Sequence, residues 1–191
     1  IILFPEASTA TVSKIRELKT GAVRIKAGFE EFTKFGKKVP IIPIGLSYSN
    51  PHEFQSRVVV KIGEAVLLDP IEEGADLGEV YRSQTDQVQE ELKNSIIHID
   101  NTQNESLVKN ISRLFIGIHR KENDISFRDK QSNFEFGQSV ATAVAHFEEQ
   151  DPTAYSGMSE RIENYFDEIN ELGVSDDSVA GSERSKPSFF K

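Results

Sequence analysis

The alternation of apolar and polar positions changes along this chain from short runs to long helical patterns. The continuous apolar run at residues 1–4 predicts a buried strand, because it is short and carries no polar alternation. Between residues 18 and 35, apolar residues recur at helical spacing with Lys and Glu between them, which predicts an amphipathic helix. The apolar positions of that helix are Ala22, Ile25, Phe29, Phe32 and Phe35. We expect Phe29, Phe32 and Phe35 to lie in the core, the alternative being that they line a fatty-acyl tunnel.

Two more strands are predicted after this helix. Residues 39–44 form an apolar run in which Pro40 and Pro43 limit the backbone donors, as at a sheet edge or in an interrupted strand. Residues 57–63 are rich in β-branched side chains. A helix between the first two strands favours an α/β sandwich. The two prolines are interpreted as fixing the strand and the turn into Gly45, or alternatively as shaping a pocket wall.

From Gln84 onward the pattern is helical. Four helices are predicted there, marked by these apolar positions: Val88, Leu92 and Ile96; Leu107, Ile111, Leu114, Phe115 and Ile118; residues 134–147; residues 162–172. Gly173 is the expected C-terminal cap of the last one. Residues 175–191 are rich in Ser, Asp, Gly and Pro and predict a flexible tail. The predicted domains are therefore 1–75, a helical extension at 76–174, and the tail.

Composition narrows the classes of ligand. The net charge of -9 argues against a general nucleic-acid binder, which needs a basic excess to neutralise phosphates. The first 70 residues are nevertheless locally basic, which suits an anionic small ligand or an anionic membrane surface. The absence of Cys excludes disulfides and thiolate chemistry, and no spacing typical of metal ligands occurs, so no metal or organic cofactor is predicted. No apolar run approaches the ~20 residues that a membrane-spanning helix needs.

Two short motifs carry the candidate chemistry. Phe4-Pro5-Glu6 would end the first predicted strand, and Leu18-Lys19-Thr20-Gly21-Ala22 would open the first helix. A helix N-terminus offers unpaired N–H groups and a partial positive charge, to which Lys19 adds a full charge, so an anion is favoured there. The alternative is that Thr20 is an ordinary N-cap and Lys19 a solvated loop residue.

These motifs, followed by Val39-Pro40-Ile41-Ile42-Pro43-Ile44, resemble in order and spacing those of the glycerolipid acyltransferases, the family of glycerol-3-phosphate and 1-acylglycerol-3-phosphate acyltransferases. Residues 57–64 are similar to the strand that ends the family's domain. Residues 90–179 resemble the helical region of a subgroup that acylates glycerol 3-phosphate or dihydroxyacetone phosphate. The resemblance implies an α/β fold: the C-terminal part of an acyltransferase domain, beginning at the third motif, followed by a mainly helical extension.

The resemblance also implies an activity in phospholipid biosynthesis. A fatty acyl group would pass from acyl-CoA or acyl carrier protein to a hydroxyl of a glycerol phosphate, at the cytoplasmic face of a membrane. The acceptor would be bound by Phe4, Pro5, Glu6, Ala7, Ser8, Lys19, Thr20 and Gly21. Ala7 stands where the family has Gly, and Ser8-Thr9 replaces a pair of a hydroxyl and a basic residue. Glu6 would accept hydrogen bonds from acceptor hydroxyls or hold a cationic residue that contacts the phosphate.

The catalytic base of this family is a His in a His-x-x-x-x-Asp motif that precedes the third motif, so it is expected upstream of Ile1. Two later pairs have the same spacing, His119 with Asp124 and His146 with Asp151. Both fall in the predicted helical region, in strongly charged surroundings, and are interpreted as coincidental. We therefore predict that these residues alone transfer no acyl group.

Two other functions stay open. The altered residues Ala7 and Thr9 are compatible with a non-catalytic module that binds lipid phosphates or a membrane surface. The acidic helical region is compatible with a partner-docking extension whose removal would leave acyl transfer intact.

Overall fold

The computed structural model of the chain describes residues 1–6, 12–48, 54, 58–72, 74–176 and 179. Helices predominate in these residues, and one small antiparallel sheet accompanies them. Contacts divide the chain into two compact units, Ile1–Thr102 and Gln103–Lys191. Each is described separately below.

Unit 1 contains two helices and two strands: α1 (Gly21–Phe32), β1 (Ile44–Tyr48), β2 (Val58–Ile62) and α2 (Leu77–Asn94). The strands pair antiparallel, with Ile44 opposite Ile62 and Tyr48 opposite Val58. Asp76 caps α2 by accepting the backbone N–H groups of Gly78 and Glu79. The predicted strand at residues 57–63 is confirmed over Val58–Ile62.

The core of unit 1 lies between α1, α2 and the extended segments that flank them. Its buried apolar side chains are Ile15, Leu18, Val23, Leu68 and Val88. Gly45 of β1 allows the sheet to approach the end of α2, since a Cβ there would lie 1.9 Å from the carbonyl oxygen of Ser95. The opposite face of the sheet carries six exposed apolar side chains: Ile44, Leu46, Tyr48, Val58, Val60 and Ile62.

Two of the three predicted strands differ from the structure. Residues 1–4 are not a strand: all four are exposed, and no segment among the described residues pairs with them. A strand requires a partner for its backbone groups, which an apolar run cannot provide alone. Residues 39–44 contribute only an isolated bridge between Ile41 and Val66 before β1 begins. Pro40 and Pro43 lack the N–H groups that would extend the ladder.

The first predicted helix is present, but the face that it buries is not the aromatic face that was predicted to be buried. α1 buries Val23, Lys26 and Glu30 rather than its aromatic residues. The prediction that Phe29, Phe32 and Phe35 form core is therefore wrong, and being exposed they line no interior tunnel either. The inward face holds a hydrogen-bonded ion pair, which a count of apolar residues does not detect.

Unit 2 is built from three helices that pack pairwise: α3 (Glu105–Glu122), α4 (Lys130–Gln150) and α5 (Pro152–Glu171). The predicted helical pattern is confirmed here. Its buried apolar side chains are Leu107, Val108, Phe134, Val140, Ala141, Val144, Phe166 and Ile169. Asn104, in the short 3₁₀ turn before α3, is buried and joins the helices: its Nδ2 donates to Glu148 Oε2, and its Oδ1 accepts from the hydroxyl of Tyr155, both at 2.6 Å.

The ends of these helices follow sequence signals. Asp151 separates α4 from α5 and accepts the N–H of Ala154, with Pro152 in the first turn of α5. Gly173 follows α5 with φ of 63°, and the N–H groups of Gly173 and Val174 donate to the carbonyls of Asn170 and Ile169. This is a Schellman motif, and the predicted C-terminal cap is confirmed.

The division into units falls after Thr102, whereas the sequence placed the start of the helical extension after residue 75. α2 lies beyond that predicted boundary but packs in unit 1, against α1 and β1. Most of the predicted tail at 175–191 lies outside the described residues. No helix in the described part of the chain combines the length and apolar character that crossing a bilayer requires.

Candidate functional site

The structure brings the two candidate motifs together in unit 1. The backbone N–H of Lys19 donates to the carbonyl oxygen of Pro5 at 2.9 Å, so the Pro5-Glu6 turn lies directly beside the start of α1. Pro5 and Lys19 are 14 residues apart in the sequence. Phe4, Pro5, Glu6, Lys19, Thr20 and Gly21 thus gather in one place, whereas Ala7 and Ser8 lie outside the described residues.

The Glu6 carboxylate binds the segment of chain that leads into α1. Its Oε2 accepts the backbone N–H of Arg16 at 3.2 Å. The sequence predicted either an acceptor hydroxyl or a cationic side chain as its partner, and one partner in the structure is a backbone amide of the intervening segment. A carboxylate in this position holds residues 16–19 against the Pro5-Glu6 turn.

Residues of α2 and the segment after it support the same region from the other side. Gln89 Oε1 accepts the N–H of Leu18 at 3.1 Å. His98 Nδ1 accepts the N–H of Ile15 at 3.2 Å, and its Nε2 lies 3.1 Å from Asp100 Oδ1. Because Nδ1 is the acceptor, Nε2 carries the proton and donates to Asp100. Sequence reasoning missed these supports, since long-range partners of this kind leave no local signal.

The start of α1 is open to an anion. Thr20 occupies the N-cap position, but its side chain makes no capping hydrogen bond, and the first turn contains no acidic residue. The Thr20 hydroxyl is therefore not the ordinary cap that the sequence left as an alternative. The positive end of the helix, with the exposed Lys19 beside it, favours negative charge.

A shallow depression continues from this point along α1. Its lining residues are Gly21, Arg24, Ile25, Gly28, Glu31 and Tyr81. Arg24 adds a second cation five residues after Lys19, a feature that the sequence analysis did not single out. A Cβ on Gly21 would meet no atom within 4 Å, so the backbone here is accessible from outside.

The histidines of the described residues do not form the expected base. His119 stacks on Phe136 with ring centroids 4.4 Å apart, and its Nδ1 faces the Asn123 amide at 3.3 Å. Asp151, the residue that stands five positions after His146, is the N-cap of α5 and accepts the backbone N–H of Ala154. In neither pair does the structure give a hydrogen bond between the His and the Asp. His98 uses both ring nitrogens structurally, and His52 lies outside the described residues.

Within the described ranges, no group of three or more His, Asp or Glu side chains is arranged to hold a metal ion. The geometry of the site is instead that of an anion-binding helix start, supported by a carboxylate and by two side chains near the end of α2. Comparisons of the chain with protein-family models, with curated proteins and with solved structures gave no match.

Proposed function

We propose that this chain is the C-terminal part of a glycerolipid acyltransferase domain followed by its helical extension, and that it binds the glycerol-phosphate acceptor. One observation carries the proposal: the 2.9 Å hydrogen bond from Lys19 N–H to Pro5 O, which unites the two motifs of the resemblance. The acceptor is glycerol 3-phosphate or 1-acylglycerol 3-phosphate. The acyl donor is a thioester of CoA or acyl carrier protein.

The acceptor phosphate would bind at the start of α1. Backbone N–H groups of the first turn, the Thr20 hydroxyl and the Lys19 ammonium can all donate hydrogen bonds to it, and no capping side chain competes for the helix start. Arg24 lies one turn further along the same helix and contributes positive charge. The glycerol part would then extend toward the Pro5-Glu6 turn, where the acceptor hydroxyl is presented.

The chemical step would use a base outside these residues. A His held by an Asp, upstream of Ile1, would remove the proton of the acceptor hydroxyl. The resulting oxygen attacks the thioester carbonyl, an ester C–O bond forms, the C–S bond breaks, and the thiol of the donor leaves with a proton. The role of this chain is to fix the acceptor so that its hydroxyl meets the thioester.

We expect the chain to bind glycerol 3-phosphate without transferring an acyl group. Lys19→Gln should weaken binding by about tenfold or more, because it removes a charge-assisted contact. Amide NMR shifts on titration with glycerol 3-phosphate would report the site, with perturbations expected at residues 19–22. Glycerol serves as the ligand control, and Lys109→Gln, an exposed lysine of α3, as the variant control.

Three outcomes contradict the proposal. Equal affinity for glycerol and glycerol 3-phosphate, or unchanged affinity in Lys19→Gln, removes the acceptor site. Acyl transfer from acyl-CoA by the chain alone contradicts the upstream base and returns attention to His119, His146 and His52.

The alternative is a non-catalytic module that binds lipid phosphates through the same helix start. The residues that favour it are Ala7 and Thr9, which depart from the pattern of the acyltransferase motifs. The coding sequence upstream of Ile1 distinguishes the two. A His-x-x-x-x-Asp motif at the end of a predicted strand supports the enzyme, and its absence supports the module.

A further inference from the structure

Two segments of unit 1 are hydrogen-bonded to each other beside the candidate site: residues 13–15, before α1, and residues 98–100, after α2. Three hydrogen bonds join them, and we call these bonds the His98 clasp: Ile99 N–H to Ser13 O at 2.7 Å, Lys14 Nζ to Asp100 O at 2.7 Å, and Ile15 N–H to His98 Nδ1 at 3.2 Å. The third bond differs from the other two, because its acceptor is a side chain that can take up a proton.

The clasp continues into the candidate site through the backbone N–H groups that follow it. Four of these groups between residues 15 and 19 donate to acceptors elsewhere in unit 1: Ile15 to His98 Nδ1, Arg16 to Glu6 Oε2, Leu18 to Gln89 Oε1, and Lys19 to Pro5 O. The side chains of Ile15 and Leu18 are buried in the core of the same unit. The positions of Lys19 and of the Pro5-Glu6 turn therefore depend on how residues 15–18 are held.

His98 is the acceptor of this set that can stop accepting near neutral pH. Carbonyl, amide and carboxylate oxygens keep a lone pair in that range, whereas an imidazolium carries N–H donors on both nitrogens and accepts no hydrogen bond. Histidine is the side chain that ordinarily changes its charge between about pH 5 and pH 8. A protonated His98 would present a second donor to the Ile15 N–H, so this hydrogen bond would be lost.

The charged groups around the His98 ring act in opposite directions. Asp100 Oδ1 lies 3.1 Å from Nε2 and attracts a charged ring, but the Asp100 side chain is 76 % exposed, so solvent screens it. Two cations lie near the same carboxylate and weaken its attraction for an imidazolium: Lys14 from the segment before α1 and Lys93 from the last turn of α2. Lys93 is also paired with Glu90. Only 12 % of the His98 side chain is exposed, so a charged ring would gain little from water.

We propose that His98 is a positioning residue of the acceptor site, and that its protonation opens the clasp and weakens anion binding at the start of α1. The neutral ring holds residues 15–18, so that Lys19 and the Pro5-Glu6 turn meet the acceptor together. In mild acid the segment is released, and the affinity falls with the fraction of molecules in which the clasp is closed. The inference rests on the proposed function for its ligand, and it adds control of that site by pH.

A first experiment on the full chain needs no ligand. NMR follows the ring nitrogens of His98 and the amide of Ile15 between about pH 8 and pH 5. The Ile15 amide shift should change together with the titration of the ring, and its hydrogen exchange should be faster on the acid side. His98→Asn is the matched variant, because its side-chain oxygen can accept from the same N–H and does not titrate. In this variant the Ile15 amide should not change with pH.

A second experiment measures sulfate affinity at the same two pH values. Sulfate is used because, unlike a phosphate monoester, it keeps its charge over this range. The wild type should bind about fivefold more weakly in acid, after division by the ratio that His98→Asn shows between the two pH values. His98→Phe should bind weakly at both values, with circular dichroism showing that it is folded. His146→Asn changes an exposed histidine of α4 and should keep the pH dependence of the wild type.

Three results overturn the proposal: an Ile15 amide that does not follow the ring titration, a wild type without the loss of affinity in acid, or a His98→Asn protein that shows the same loss. A site that binds sulfate and glycerol 3-phosphate equally well at both pH values contradicts this inference alone. Absence of binding of both anions at either pH contradicts the proposed function, and it removes the positioning role of His98 as well.

Discussion

Lys26 and Glu30 form an ion pair on the inward face of α1, with each residue only 5 % exposed and Nζ 2.9 Å from Oε2. The ammonium also donates to Leu68 O, and Glu30 Oε1 accepts the N–H of Val39. Two segments of unit 1 are thereby tied to one helix. Burial of a charged pair is tolerated because its remaining hydrogen-bonding groups are satisfied.

We expect Lys26→Met to lower the free energy of unfolding by about 3–5 kcal/mol, because it leaves Glu30 charged, buried and without its cation. The double variant Lys26→Met/Glu30→Gln should be more stable than Lys26→Met alone, since the introduced amide is neutral and its oxygen still accepts from the Val39 N–H. Urea unfolding at neutral pH measures both. A double variant less stable than Lys26→Met would contradict this account.

The Lys26–Glu30 pair also makes the stability of the protein depend on pH. Burial would raise the pKa of Glu30, but the Val39 N–H and the Lys26 ammonium outweigh it, so the pKa lies below the ordinary 4.5. A carboxylate with a lowered folded-state pKa contributes its stability in full above the ordinary value and loses it as pH falls through the folded-state value. The stability difference between wild type and Glu30→Gln should therefore shrink below pH 4.5. A constant difference across that range would assign the pair no role in acid unfolding.

At the scale of elements, the sheet can lie close to the end of α2 because residue 45 is a glycine and has no side chain. A methyl group there would lie 1.9 Å from Ser95 O and 2.8 Å from Ile96 Cγ2. We expect Gly45→Ala to cost about 1–3 kcal/mol of stability through overpacking. Gly28→Ala is the control, because a Cβ added at Gly28 would meet no atom within 4 Å. Since Gly28 is exposed in α1, this substitution should stabilise the protein by up to about 1 kcal/mol. Thermal unfolding of both variants measures the contrast, which equal midpoints would disprove.

The helices show what patterning predicts about elements. α3, α4 and α5 carry the predicted apolar stripe, and α5 ends at Gly173 as predicted. Asp129 and Asp151 cap the starts of α4 and α5, whereas Asn104 before α3 makes no capping hydrogen bond with its side chain. α1 was predicted as a helix correctly and oriented wrongly. Periodicity identifies the apolar stripe of a helix. It does not show that a polar face can be buried instead when its side chains form hydrogen bonds, as Lys26 does with Leu68 and Glu30 with Val39.

At the scale of the whole molecule, the chain consists of two units with separate cores. Unit 2 contains its own apolar core and the Asn104 network. We expect residues 103–191 expressed alone to be helical and to unfold cooperatively. Circular dichroism on heating tests this, and Tyr155→Phe should lower the midpoint, because Asn104 Oδ1 would lose its donor at a cost of about 1–3 kcal/mol. An unstructured fragment would show that unit 2 depends on the rest of the chain, and a melt insensitive to Tyr155→Phe would show that the Tyr155–Asn104 hydrogen bond does not stabilise it.

The sequence named the residues of the candidate site, but it did not give the contacts that hold them together. Lys19, Thr20 and Gly21 lie at the start of α1 as expected, although the Thr20 side chain makes no capping hydrogen bond. The contacts that build the site join positions between 10 and 83 residues apart in the sequence: Lys19 with Pro5, Glu6 with Arg16, Gln89 with Leu18, and His98 with Ile15. No local pattern encodes such pairings.

The sequence by itself determined the helices of the second half, the Gly173 cap of the last one, the β2 strand, and the two motifs that resemble those of glycerolipid acyltransferases. These depend on periodicity and on residues within a turn of one another. Only the tertiary structure decided that residues 1–4 form no strand, that α1 turns Phe29, Phe32 and Phe35 outward, and that the motifs meet through Lys19 and Pro5. The physical reason is that pairing, facing and contact depend on partners distant in sequence, whose hydrogen bonds and burial exist only once the chain is folded.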